Sequence, residues 1–280
     1  LILKFYFKVM KLYSRLKIIF RKDLFLAMSY RGAFVLELTS IIFSLILVFF
    51  IANFIDSKTI DANKELSKGY FHFVFWGIIT QDLMVKIVGA SSRDLLIYKT
   101  SGILEELIQL PSAQLTVIFG SYLYPIFMSL IRIVLSLFLA SILIGETFIN
   151  FSDVFYFAIN LVFLIASFIS VGLITTSYTL FFFKTGPIPI FFITVSIIFG
   201  SVYFPVELLP FSLDNLSIIT PLSPALENFR MLSSYDFDVT VFFFNLSKIL
   251  FLNVIFITIA LVSLKASFEH AKKNGTFLHY

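Results

Sequence analysis

Six stretches of this chain are apolar for about as long as a helix must be to cross a lipid bilayer, roughly 20 residues. They are Ala33 to Ile55, Tyr70 to Ala90, Gly120 to Ile144, Val154 to Phe183, Pro187 to Phe204, and a stretch within Val239 to Leu264 whose outer part carries Lys248. The fifth is short and bounded by proline. Of the 280 residues, 59% are apolar and only 14% are charged, against roughly 45–50% and 25% in soluble domains. Water could not disperse 38 Phe behind so thin a charged surface, and disorder requires low hydrophobicity. The expected fold is all-α and polytopic. It has six transmembrane helices, an N-terminal amphipathic interface helix over residues 1–32, and a re-entrant segment before the last span. The transmembrane domain occupies 33–280 and ends in a short tail, 265–280.

Lys and Arg are held back on the cytoplasmic side of a membrane. With the N-terminus inside, fifteen of the 21 basic residues fall on the inside, counting Lys86 at the inner end of the second span, and four (Lys58, Lys64, Lys68 and Arg230) in outside loops. Both termini are therefore expected in the cytoplasm. The first apolar run is long and sits behind 32 basic, amphipathic residues, unlike the short h-region of a cleavable signal peptide.

Composition also excludes chemistry. The chain has no Cys and three scattered His (His72, His270, His279), so thiolate metal sites are impossible and no metal or His-based catalytic site is expected. A net charge of +4 with no basic surface on a soluble fold gives no reason to expect nucleic acid as a partner.

Charges inside spans mark function or register. Asp82 and Lys86 are four apart on the second span and can share a face. Arg132 lies about 12 residues into the third span, which runs the opposite way. At 1.5 Å per residue, the depths of Asp82 and Arg132 differ by roughly 6 Å. An Asp82–Arg132 pair between these spans is predicted, chiefly as a device that fixes helix register.

Three further segments stand out. Phe5, Val9, Leu12, Leu16 and Ile19 repeat at helical spacing beside a stripe of Lys4, Lys8, Lys11, Arg15 and Lys22, which suits an anionic headgroup layer. Gly102 to Pro111 (GILEELIQLP) reads as a short amphipathic helix with Glu105 and Glu106 on its polar side. Pro111 ends it, and Ser112 is placed to cap the next helix. Finally, four of the eight Pro lie between 205 and 224 in a stretch that stays apolar. Such a sequence cannot cross as one helix but can dip into a leaflet where protein buries its freed backbone groups.

Ser29 to Phe34 (SYRGAF), Gly102 to Pro111, Phe204 to Pro210 (FPVELLP) and Pro221 to Arg230 (PLSPALENFR) stand in an order and spacing that resembles the ABC-2 type permease family, the membrane subunits of type-2-like ABC exporters. The resemblance implies a dimer with a second permease subunit, identical or not, in the cytoplasmic membrane of a prokaryote. It implies a cytoplasmic ABC ATPase partner that holds ATP and Mg²⁺, with no cofactor and no enzymatic activity in this chain. Gly102, Leu104, Glu105, Glu106 and Leu107 would form the coupling helix seated in the ATPase. Phe204, Pro205, Glu207 and Pro210 would form the outer gate. The chain indeed lacks a G-x-x-x-x-G-K-[ST] phosphate loop, so energy would have to arrive through contact. The cargo class most in keeping with abundant Phe is a hydrophobic or amphipathic one: a drug, lipid or lipid-linked glycan. Two other classes remain open at this stage, an intramembrane enzyme acting on a lipid and an ion-coupled carrier or channel. The first lacks clustered Asp; the second usually carries several intramembrane acids and internal repeats.

Overall fold

A computed structural model describes residues 2–54, 69–103, 111–144, 149, 153–182, 187–209, 213–233 and 237–274. Among these there are only helices and turns. α1 is Ile2–Ser29, α2 Arg31–Phe54, α3 Tyr70–Val88, α4 Ala90–Thr100, α5 Pro111–Gly120, α6 Leu123–Ile144, α7 Val154–Phe182 and α8 Ile188–Phe199. Two 3-10 turns, Val206–Leu208 and Leu213–Ile219, precede α9, Leu222–Leu232, and α10, Val239–Asn274.

Five helical runs are long and apolar enough to cross a membrane: Arg31–Ala52, Tyr70–Thr100, Gln114–Ile144, Val154–Phe182 and Val239–Ala271. The fifth apolar stretch gives only the twelve residues of α8, about 18 Å. Gly200 follows it, Ser201 turns at φ 59°, and the chain leaves helical geometry although Val202, Tyr203 and Phe204 are still apolar. The second span is continued past a turn at Gly89 by α4. Pro111 opens α5, where its missing N–H is no loss, so Ser112 lies inside the first turn and is not the cap.

Neighbouring contacts fix helix directions. Phe49 meets Phe71 while Glu37 meets Lys86, so α2 and α3 are antiparallel. Trp76 meets Phe157 and the Val88 carbonyl meets Thr175, so α3 and α7 run parallel. Tyr156 meets Phe242, the Phe163 carbonyl meets Asn253, Ser177 meets Ser263 and Phe181 stacks on His270, so α7 and α10 also run parallel. Two consecutive long helices can be parallel only if the chain between them returns from one end of the bundle to the other. α8 and the broken segment after it make that return.

The run Tyr70–Thr100, formed by α3 and α4, is the most buried of the five, with 72% of its apolar part inside the bundle against 11% for Arg31–Ala52 and 22% for Val239–Ala271. Phe43, Phe54 and Phe251 stand 69%, 89% and 66% exposed, apolar surface of the kind that lipid or another protein covers. Where helices meet closely the residues are small. A methyl on Gly172 of α7 would lie 2.8 Å from the Tyr122 hydroxyl, and Thr175 donates to the Val88 carbonyl at 3.0 Å. α1 packs against α2, α5 and α6 at one end of the bundle, with Ile19 against Gly120 and the Phe20 ring edge-on to Phe127.

Candidate functional site

Four charged residues of the spans, Glu37, Asp82, Lys86 and Arg132, converge between α2, α3 and α6. Arg132 of α6 grips Asp82 of α3 with two bonds, Nε to Oδ2 at 2.8 Å and Nη2 to Oδ1 at 2.7 Å. Its Nη1 turns to α2, donating to the Glu37 carbonyl and to Ser40 Oγ at 3.0 Å. The guanidinium fork suits this planar, multi-point contact, which an ammonium could not make. Arg132 is only 4% exposed, so its apolar surroundings strengthen each bond.

Lys86 does not serve Asp82. Its ammonium donates to Glu37 Oε1 at 2.6 Å, and the Tyr124 hydroxyl donates to Glu37 Oε2 at 3.2 Å. Asp82 is already filled by the Arg132 fork, and the four-residue spacing that would let Lys86 reach it is overridden by the neighbouring helix. Glu37 is therefore a second acid inside the spans, one that the sequence reading did not single out. Its signal was present: an acid at the fifth position of the apolar stretch that begins at Ala33 must have a partner. Two carboxylates and two cations thus balance, and each acid is matched to a cation. What this arrangement can do is mechanical. It ties three helices together at fixed relative heights.

A cleft of about 460 Å³ opens beside this cluster, between α1, α2, α4 and α6, with Asp23, Glu37, Lys86, Arg93 and Asp94 in its walls. At its rim Lys22 donates to the Tyr98 hydroxyl at 2.9 Å and pairs with Asp23 at 3.0 Å. Burial works against the Lys22 charge, yet these bonds outweigh it and hold its pKa above the ordinary lysine value.

At the opposite end the broken segment is held deep. Tyr203 donates to Gln81 Oε1 at 2.6 Å, and the Val202 backbone lies directly on Gly77, leaving no room for a methyl. Gly77 and Gln81 are seven and eleven residues into α3, roughly 10–16 Å below its start. Pro205 is buried, Phe204 half-buried and Glu207 exposed; Pro210 lies outside the described residues. α9 then packs on α3 and α7. Trp76 stacks on Phe229 at 5.2 Å and donates to Ser233 at 2.9 Å. Three buried amides join α7, α9 and α10: Asn228 donates to Asn160, and Asn245 donates to Asn228, each at 3.2 Å. Each asparagine alone reads as an unremarkable polar residue, since only the fold makes them adjacent.

Of the coupling residues, Gly102 is exposed and turns at φ 73°, a left-handed position that favours glycine. Leu104, Glu105, Glu106 and Leu107 lie outside the described residues. Among the described residues no three His, Asp or Glu are grouped to hold a metal ion. Compared with known proteins, the sequence matches no protein-family model and no curated protein.

Proposed function

We propose that the chain is the membrane subunit of an ATP-driven exporter in a prokaryotic cytoplasmic membrane, paired with a cytoplasmic ATPase and a second permease subunit. The observation that carries this reading is the return between the parallel helices α7 and α10. A twelve-residue apolar helix followed by a proline-broken segment seated 10–16 Å down α3 suits a fifth crossing with a re-entrant outer element, six crossings in all. Such an element, held by a backbone-on-glycine contact, one tyrosine bond and Arg230 on the Ser201 carbonyl, can close a pathway and still move. Phe204, Pro205, Glu207 and Pro210 are its gate residues. At the other end, α1 packs on α5, and its Lys22 bonds Tyr98 of α4; these two helices flank residues 102–111, where force from a partner would enter through Glu105, Glu106 and Leu107. The cargo we propose is hydrophobic or amphipathic, in keeping with the 38 Phe of the chain.

The mutual pairing of Glu37, Lys86, Asp82 and Arg132 favours a rigid strut over an ion-coupled carrier, which needs an acid free to change partners. The test is co-purification with the ATPase encoded beside it, followed by a screen for compounds that stimulate ATP hydrolysis by the complex. Glu106→Arg should abolish the stimulation or the association while membrane insertion persists. Hydrolysis indifferent to this change and to every cargo, or residues 102–111 facing away from the ATPase, would overturn the reading.

A further inference from the structure

At the end of the bundle away from α1, a half-open cavity of about 600 Å³ lies between the broken segment, α9 and α10. Glu207, Glu227, Arg230, Lys248, Ser217 and Ser223 supply its polar wall. Ile218, Phe244 and Phe251 flank it and are 72%, 62% and 66% exposed, an apolar surface continuous with the face of α10 that lipid would cover.

Lys248 sits nine residues into α10, about 13 Å along an apolar helix. Among the described residues it forms no ion pair. Its ammonium meets Asn245 Oδ1 at 3.3 Å and lies 4.5 Å from the centre of the Phe244 ring. Asn245 is 1% exposed and is fixed by the buried amide chain through Asn228 to Asn160, so the acceptor that receives the exposed lysine is held in place. Arg230 is already committed, donating to the Phe73 and Ser201 carbonyls and lying 3.5 Å over the Phe73 ring. A cation at this depth needs an anion, and the first turn of α9, which no side chain caps, opens into the same space at Ser223 and Pro224. The four charges in the wall sum to zero, so a head bearing only negative charge would leave the filled site unbalanced.

We propose that this cavity binds the head of a zwitterionic phospholipid, with the phosphodiester on Lys248, the ammonium toward Glu207 and Glu227, and the acyl chains along Phe244 and Phe251. The site stands on its own geometry, whatever the chain transports. The test uses the full chain, delipidated in detergent and read by native mass spectrometry. It is offered phosphatidylethanolamine, phosphatidylglycerol, soluble glycerophosphoethanolamine and inorganic phosphate. Phosphatidylethanolamine should be retained in preference to the others. Lys248→Gln should weaken it about tenfold, Lys248→Arg should restore it, and Lys99→Gln at the far end should change nothing. Glu227→Gln, an exposed change that leaves the lysine in place, should move the preference toward phosphatidylglycerol. Equal retention of both lipids by the unaltered chain, or no response to either Lys248→Gln or Glu227→Gln, would overturn the proposal. So would binding of the soluble head or of phosphate as tight as that of the lipid.

Discussion

Arg132 ties three helices through one guanidinium, which holds Asp82 on α3 together with Ser40 and a backbone carbonyl on α2. Removing one partner of a buried pair strands the other, at a cost of about 3–5 kcal/mol. Asp82→Asn and Arg132→Gln should each lower the unfolding midpoint in detergent, and the double variant should lose less than the two losses added. Strict additivity would mean the contact contributes nothing. This pair was legible in the sequence because depth along two antiparallel spans is set by residue count alone. The Glu37–Lys86 pair was not. Glu37 stands near the basic start of its span, where a charge reads as a boundary, and Lys86 has a nearer acid on its own helix. Which acid Lys86 takes is decided by how α2 leans on α3, and a residue count does not contain that.

For the helices, apolar length located the five long runs, since the thickness of the hydrocarbon layer sets it. It overstated α8, because Val202 to Phe204 are as apolar as the helix they leave; the break follows from Gly200 and from the backbone seat on Gly77. Gly77→Ala should push the Val202 carbonyl off α3 at a cost of about 1–3 kcal/mol, the range for overpacking. It should raise hydrogen exchange across residues 200–204 while the rest of α3 keeps its protection; unchanged exchange there would mean the seat is not what holds the segment. A second element-scale prediction concerns the start of α10. Asp238 accepts from the Thr240 N–H at 2.8 Å and from the Thr240 hydroxyl, the side-chain cap that a helix start calls for. Those bonds hold its carboxyl below the ordinary aspartate value. Because the folded pKa is depressed, the cap is at full strength above that ordinary value and is lost as pH falls through the lower, folded one. Asp238→Ala should therefore increase exchange in the first turn of α10 at neutral pH, and acidification should add little more to the variant than it already shows.

Across the whole molecule, the arrangement of α7 and α10 makes a claim about topology that is separate from any claim about transport. Their parallel course places Ser29, at the end of α1, and Glu269, late in α10, at one end of the bundle, with Thr240 at the other. A chain of five crossings would put Ser29 and Glu269 on opposite faces of a membrane. The absence of Cys makes the distinction clean, since the unaltered chain has no thiol to label. Ser29→Cys, Thr240→Cys and Glu269→Cys are each expressed alone and exposed to an impermeant maleimide, before and after the membrane is opened. With α8 and its extension counted as a crossing, Thr240→Cys reacts from one side, and Ser29→Cys and Glu269→Cys react only from the other. Reaction of Ser29→Cys and Glu269→Cys from opposite sides would mean that α8 merely dips into the bilayer. The last long helix would then have to turn over relative to α7, breaking the contacts of Phe163 with Asn253 and of Ser177 with Ser263 along its length. Those interhelical contacts are the reason an even count is the outcome we expect of the labelling.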